Sequence, residues 1–259
     1  ENCRTSNVEI VGVRDVGGLV GASQYNVYYI NCHVEFSVIK AEVNDPSFEH
    51  AQPYAGGLIG RAAGSITLFD CSATPGGIID DVFVPGVIVS SYKDGFAGEL
   101  VGGPVSNVTI AKVLNSTQKK AYETIQVAID GAEADNTILV SAGTFDEDIT
   151  IKRSIKLFGA NAGINPNNTD WSLAERRPET VFTGFIKAEA GVENIEIDGF
   201  KFTKGANGEG GALNFTLGGH TTIKIYNCIA EDTYANAEHR GSGFMYVTNH
   251  GPGGPRNGT

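Results

Sequence analysis

The stretch Gly17-Gly18-Leu19-Val20-Gly21 decides the fold, because it returns as Gly56-Gly57-Leu58-Ile59-Gly60 and, more loosely, as Gly98-Glu99-Leu100-Val101-Gly102. In the first two copies a cysteine stands eleven residues past the last glycine, at Cys32 and then at Cys71. Fixed self-similarity at this spacing is typical of repeat proteins, in which each unit buries its apolar face only against its neighbours. The repeat therefore indicates a stack of similar coils.

A second phrase, a turn-prone polar residue followed by apolar-polar-apolar alternation, recurs along the chain. This period-2 pattern is typical of a short, half-buried strand. Its copies are residues 6–10, 25–30, 64–68, 106–110, 193–197 and 221–225. Such strands bury their apolar sides when they stack as coils about 4.8 Å apart along one axis. With 34 glycines in 259 residues, which suit many tight corners, the pattern predicts an all-β fold, a right-handed parallel β-helix.

The positions of the cysteines follow the same repeat. An Asn or Asp precedes every cysteine, in the pairs Asn2-Cys3, Asn31-Cys32, Asp70-Cys71 and Asn227-Cys228. Because Asn and Asp tolerate left-handed backbone geometry, these pairs are expected to turn a recurrent corner. In the third copy of the repeat Val113 takes the cysteine position, which favours stacked thiols that act as small hydrophobes at Cys32, Cys71 and Cys228. A Cys3–Cys32 disulfide between adjacent coils stays open as the alternative.

The charge balance restricts the partners. Thirty acidic and nineteen basic residues give a formal net charge of −11, so binding to a nucleic-acid backbone is not expected. No apolar run approaches the length of a membrane span. The chain begins and ends inside the pattern and carries no targeting segment. We therefore expect a fragment, truncated at its C-terminus, of a longer secreted or cell-surface protein.

One segment interrupts the strands. Ala121, Ile125, Ala128, Ile129 and Ala132 fall at helical spacing and form one apolar stripe. We therefore predict a short capping or junction helix near 118–132. Either of the two residues before Gln118, Ser116 or Thr117, is a plausible N-cap. The helix suggests two abutting β-helical segments, 1–115 and 116–259.

Residues 1–115 resemble the GLUG repeats of large bacterial surface proteins, including IgA-peptidase-like adhesins. The GGLVG and GGLIG phrases and their following Asx-Cys pairs carry this resemblance. Residues 116–259 resemble the start of pectin-lyase-like right-handed β-helices. This second likeness rests on residues 124–129, 138–145, 149–151, 155–159, 177–182 and 197–200. Both resemblances imply the fold, whereas the pectin-lyase-like fold serves enzymes, adhesins and phage spikes alike.

Catalytic candidates are weak. Pectin methylesterases, which the second segment resembles most at its start, use a Gln, two Asp and an Arg, and no stretch here carries that set. Two acidic groups, Asp80-Asp81 and Asp146-Glu147-Asp148 with Asp198, are the places where a polysaccharide lyase of this shape would hold calcium. The acidic triplet is better interpreted as a solvated turn between strands. We assign no catalytic residue and no metal ligand, and leave calcium open as the one cofactor.

Loops that project from the coils are the better binding candidates. The excursion at 161–178 carries the only tryptophan, which could stack on a sugar or anchor its own loop. The ligand-binding candidates are Trp171, Arg176, Arg177, His239, Arg240 and His250. The positions assigned a structural role are Gly18, Gly21, Gly57, Gly60, Cys32, Cys71 and Cys228.

These observations predict a non-catalytic, bacterial, extracellular or cell-surface protein for structural display or adhesion, with glycans or host-surface components as partners. One alternative is the N-terminal part of a carbohydrate-active enzyme, a lyase or pectin-esterase-like protein that acts on acidic polysaccharide. Another is a phage-type fibre or spike.

Overall fold

A computed structural model describes residues 1–6, 8–41, 54–79, 82–85, 88–90, 96–98, 100–103, 106, 108–167, 176–203, 212–217, 221–233 and 244–249. The chain forms two compact units, Glu1–Ala111 and Lys112–Thr259. The predicted boundary near residue 115 differs slightly, because Val113–Asn115 is a strand of the second unit. Both units consist of parallel-stacked strands, which confirms the all-β parallel β-helix. The right-handed sense of the coils stays a prediction.

The first unit contains fifteen strands within the described residues. They are β1 (Arg4–Ser6), β2 (Glu9–Gly12), β3 (Asp15–Gly17), β4 (Val20–Ser23), β5 (Val27–Ile30), β6 (His33–Ala41), β7 (Tyr54–Gly56), β8 (Ile59–Ala62), β9 (Ile66–Phe69), β10 (Ser72–Ile79), β11 (Val82–Pro85), β12 (Ile88–Ser90), β13 (Phe96–Gly98), β14 (Val101–Gly103) and β15 (Val108–Ala111). Three parallel sheets, β3-β7-β13, β4-β8-β14 and β5-β9-β15, repeat one coil three times. In a fourth sheet β6 pairs with β1, β2, β10 and β12.

The glycine phrase forms the corner between the first two strands of each coil. Gly18 N donates to Gly57 O at 3.1 Å, and Leu19 N donates to Leu58 O at 3.1 Å. These hydrogen bonds run from one coil to the next, so the corner backbones lie directly against each other. A Cβ atom at Gly60 would come closer than 3.0 Å to backbone atoms of Val16 and Gly21, which leaves no room for any side chain.

The leucine of each phrase points the other way, into the core of the first unit. Leu58 is fully buried, and Leu19 and Leu100 pack against the same cluster. The glycines allow the backbones of successive coils to come close together. The leucine at each corner fills the interior of the unit.

The second unit begins with two strands and a helix and continues as four coils. Its elements are β16 (Val113–Asn115), β17 (Lys120–Tyr122), α1 (Ile125–Asp130), β18 (Asn136–Val140), β19 (Gly143–Phe145), β20 (Ile149–Ile151), β21 (Ile155–Phe158), β22 (Thr180–Phe182), β23 (Ile186–Ala188), β24 (Asn194–Asp198), β25 (Phe200–Thr203), β26 (Leu213–Leu217), β27 (Thr222–Tyr226), β28 (Ile229–Glu231) and β29 (Met245–Asn249). The coils align as three sheets: β18-β21-β24-β27 (extended by β16 and β17), β19-β22-β25-β28 and β20-β23-β26-β29.

Alternation fills the interior of these coils with aliphatic and aromatic side chains. The largest are four fully buried phenylalanines, of which Phe182 and Phe202 contact edge to face with ring centroids 6.0 Å apart. The other two are Phe200 and Phe215. Isoleucines of the long sheet, such as Ile155, Ile195 and Ile197, belong to the same cluster.

Helix α1 closes the first coil of the second unit. Its buried residues Ile125, Ala128 and Ile129 join the core cluster. The Gln126 side chain accepts from Thr150 N at 2.7 Å and donates to Thr150 O at 3.3 Å. This amide therefore satisfies the backbone groups of β20 that have no preceding coil to pair with.

The helix is shorter than predicted, and its N-cap differs. Thr124 caps the helix by accepting from Val127 N at 3.2 Å. The two predicted caps serve the hairpin between β16 and β17 instead. Ser116 donates to Thr137 O at 3.2 Å, and Thr117 Oγ1 accepts from Thr137 N at 3.0 Å. The apolar stripe located the helix, but the turn residues before it belong to the preceding strands.

We predict that Gly60→Ala lowers the free energy of unfolding by about 3 kcal/mol, the upper part of the range for overpacked sites. The added methyl group meets rigid backbone of two neighbouring coils. Chemical denaturation followed by far-UV circular dichroism measures the change. Gly12→Ala is the control, because its methyl group meets only the side chain of Val16. Equal effects of the two substitutions would contradict this explanation of the glycine phrase.

Candidate functional site

The Asx-Cys pairs form one recurrent corner, as predicted. Asn2, Asn31, Asp70 and Asn227 have φ angles of 56°, 52°, 50° and 49°, within the left-handed region. Each turns the chain so that the thiol of the next residue donates to the carbonyl two residues before it. The Sγ–O distances are 3.6 Å for Cys3, 3.4 Å for Cys32, 3.4 Å for Cys71 and 3.0 Å for Cys228.

The surroundings of the cysteines at these corners indicate a structural role. Cys3, Cys32 and Cys71 each precede one of three residues that are paired in register, Arg4, His33 and Ser72, so the thiols occupy successive coils. All four cysteines are free, and Cys32 is 1% exposed. Burial raises the pKa of the Cys71 thiol to about 11, and burial likewise raises the pKa of Cys228 to about 11. Few thiolates form at neutral pH, so these two groups are poor nucleophiles and metal ligands.

A polar ladder runs beside the cysteines of the first unit. Asn31 Nδ2 donates to Asn2 Oδ1, and Asn31 Oδ1 hydrogen-bonds His33 Nε2, both at 2.8 Å. His33 Nδ1 in turn hydrogen-bonds Ser72 Oγ at 2.8 Å. The side chains thus connect three coils, which gives His33 a structural environment.

Arg176, a predicted ligand-binding residue, lies at the centre of a hydrogen-bond network in the second unit. Its guanidinium donates to both carboxylate oxygens of Glu179 at 2.8 Å. It also donates to Ile164 O at 2.6 Å and to Asn227 O at 3.0 Å. Since these contacts use most of its donors and connect Ile164 and Glu179 to Asn227 on another coil, the geometry favours a clamp. Its binding of a ligand stays a prediction.

Electrostatics support the clamp. Burial by itself would raise the pKa of Glu179, but hydrogen bonds from Arg176 and Asn161, with the charges of Arg176 and Lys201, hold that pKa below its usual value. Asn161 is fully buried, accepts from Arg177 N at 2.7 Å and donates to Glu179 at 3.0 Å. The carboxylate therefore stays ionised and fully engaged.

The described acidic candidates also accept hydrogen bonds from other parts of the second unit. Glu147 accepts from the backbone N–H groups of Ile125 and Gln126, both at 3.1 Å, and thus binds the first turn of α1. Asp198 accepts from Gly163 N at 3.0 Å and from Asn227 Nδ2 at 2.8 Å. Asp146 accepts from Thr183 at 2.9 Å. Glu147 thus anchors the cap of the coil, whereas Asp146 and Asp148 are exposed between two strands, as expected for a solvated turn.

Several predicted residues cannot be placed. The following predicted residues lie outside the described residues: Trp171, His239, Arg240, His250, Asp80 and Asp81. Arg177 is described and exposed, next to the clamp. In the described part of the chain, no three His, Cys, Asp or Glu side chains form a group that could hold a metal ion. No helix in that part is long and apolar enough to cross a bilayer.

The outer face of the long sheet presents a set of residues that the sequence interpretation missed. Lys156 in β21, Glu196 in β24 and Lys224 in β27 are paired in register on three successive coils. Both lysines are exposed, and Glu196 is half-buried. Their alternation with the buried isoleucines places all three on the outside. Only the register of the coils reveals this column, because unequal excursions separate its members in the sequence.

The chain was compared with protein-family models, curated proteins and solved structures, and none of them matches. The resemblances to GLUG repeats and to pectin-lyase-like β-helices therefore stay predictions.

We predict that Arg176→Ala lowers the free energy of unfolding by about 2–3 kcal/mol at pH 7, the scale of hydrogen bonds to charged groups. Glu179 has a lowered pKa in the folded state, so its contribution is present above about pH 4.3 and is lost as the pH falls through the folded value. The difference in free energy of unfolding between wild type and Arg176→Ala should therefore become smaller at acidic pH. Denaturation curves at several pH values measure it.

The control for this experiment is Arg14→Ala, which removes the same charge from an exposed side chain of the first unit. We expect a change below about 0.5 kcal/mol, as for most surface substitutions. A loss as large as that of Arg176→Ala, or a difference between wild type and Arg176→Ala that does not depend on pH, would contradict the clamp.

For the cysteine corner we predict that Cys32→Val is tolerated within about 1.5 kcal/mol, as for volume-conserving changes. Cys32→Ser should cost more, about 2 kcal/mol, because it places a more polar group at a fully buried position. Val113 occupies the matching position of the third repeat and is itself fully buried. Thermal unfolding under reducing conditions compares the two variants. The reverse order of stability would refute the small-hydrophobe interpretation.

Proposed function

We propose that this chain is a non-catalytic segment of a secreted or cell-surface β-helical protein, which acts in structural display or adhesion with glycans as partners. The observation that carries the proposal is the internal binding of three charged side chains of the second unit, Arg176, Glu179 and Glu147. Arg176 binds Glu179 and the carbonyl of Asn227 on another coil, and Glu147 holds the capping helix. A catalytic acid, base or nucleophile needs a free, accessible functional group, whereas these groups are bound internally.

The architecture supports display. In-register parallel coils place outward side chains in straight columns with a spacing of about 4.8 Å. Such a surface is rigid and repetitive, and it presents a polymer with equivalent contacts along its length. The formal net charge of −11 disfavours nucleic-acid partners.

The experiment is to incubate the purified chain with a panel of neutral and acidic polysaccharides and to measure binding and turnover separately. Affinity electrophoresis or a glycan array reports binding. Absorbance of unsaturated uronates, new reducing ends and released methanol report lyase, hydrolase and esterase activity. We expect binding to at least one glycan and no product above a heat-denatured control. Release of product would overturn the non-catalytic assignment and favour the carbohydrate-active enzyme.

A further inference from the structure

Three charged side chains on the outer face of the long sheet are left without partners. Among the described residues, the side chains of Lys156, Glu196 and Lys224 make no hydrogen bond or ion pair. Elsewhere in the same unit, lysines do pair, as Lys152 does with Asp130 at 3.4 Å and as Lys201 does with Glu231. This column, which we call the outer charge column, is therefore available to a ligand.

The outer charge column has a period of two coils. Lys156 and Lys224 stand on the first and third of three adjacent strands, about 10 Å apart at the ordinary strand spacing. Glu196 lies midway between them. An aromatic ring follows at the next outward position on both outer strands, at Phe158 and Tyr226. The combination of a lysine with an aromatic ring thus occurs twice, with a carboxylate between.

The aromatic rings add a surface suited to sugars. Tyr226 is 47% exposed, and Phe158 is half-buried. An exposed ring beside a cation presents an apolar face to the C–H side of a pyranose, while the cation binds a polar substituent of the same sugar. Each lysine-aromatic pair therefore fits one charged sugar.

A linear glycan in which successive sugars face opposite sides has the same period as the outer charge column. In such a chain every second sugar presents the same side, and one disaccharide is about as long as two coil spacings. A carboxylate on every second sugar would meet the two lysines, whereas the sugar between them must be neutral, because a charged one would face Glu196. Like charges at close range disfavour binding, which makes Glu196 a determinant of specificity.

We propose that the outer charge column binds a linear acidic glycan whose disaccharide repeat alternates one uronic acid with one neutral sugar. This inference rests on the proposed function, since it names the glycan class and the face that takes it. Lys156 and Lys224 bind successive carboxylates, and Glu196 accepts hydrogen bonds from the neutral sugar and rejects chains with a carboxylate on every residue.

The test uses the full chain and isothermal titration calorimetry with three hexasaccharides. One alternates glucuronic acid and N-acetylglucosamine, one is a homopolymer of uronic acid, and one is a neutral β-1,4-glucan. We expect the alternating glycan to bind most tightly. Lys156→Gln and Lys224→Gln should each weaken its binding about tenfold, the change that corresponds to one charge-assisted hydrogen bond. Tyr226→Ala should weaken it as well.

The matched control is Lys187→Gln, which removes the same charge from an exposed lysine on another sheet. Its affinity should equal that of wild type. Glu196→Gln should raise affinity for the homopolymer and thereby reduce discrimination between the two acidic glycans. Circular dichroism of every variant confirms that the fold is retained.

Two outcomes would overturn the inference. Unchanged affinity in Lys156→Gln and Lys224→Gln, with binding otherwise intact, would exclude this face and leave the proposed function standing. Preference of wild type for the homopolymer would exclude the proposed repeat. Absence of binding to every glycan of the wider panel would instead count against the proposed function itself.

Discussion

Backbone hydrogen bonding between successive coils is the interaction on which the rest of this structure depends. The strands of each coil pair in register with those of the next coil. The corners of successive coils must therefore have the same backbone geometry. Glycines meet this demand where backbones touch, as at Gly18 and Gly60. Asn and Asp meet it where a single left-handed residue turns the chain. The side chains that fill the interior meet no such demand on backbone geometry, so several apolar residue types serve there.

The same constraint explains why polar side chains act as structural parts here. The residues on either side of a long connection, such as 161–167 and 176–179 between β21 and β22, must be fixed to the coils without disturbing the ladder of backbone bonds. Arg176 achieves this by binding Glu179 within its own segment and Asn227 O on another coil. Asn161 and Asp198 complete the attachment from the buried side. The charges of Arg176, Glu179 and Asp198 are stabilising because each of these side chains is hydrogen-bonded.

Features set by local backbone geometry could be predicted from the sequence. The glycine phrase and the Asx-Cys pairs identified the coils and their corners, because those residues are selected for conformations that others adopt at a cost. The helix limits could not be predicted, since Ser116 and Thr117 suit an N-cap and also suit the hairpin turn that uses them. The clamp and the outer charge column depend on residues brought together by coil register. Excursions of unequal length hide that register in a single sequence.

Helix α1 also has a consequence for association. An unpaired parallel strand at the end of a coil stack is a template onto which another chain can add a strand. The Gln126 amide occupies both backbone groups of Thr150, and β16 covers the edge of β18 in antiparallel fashion. Strand addition to β18 and to β20 is thereby blocked on that side, and β17 is the edge strand of the long sheet. Gln126, which completes the cap, thus also protects the edge of β20 from edge-to-edge aggregation.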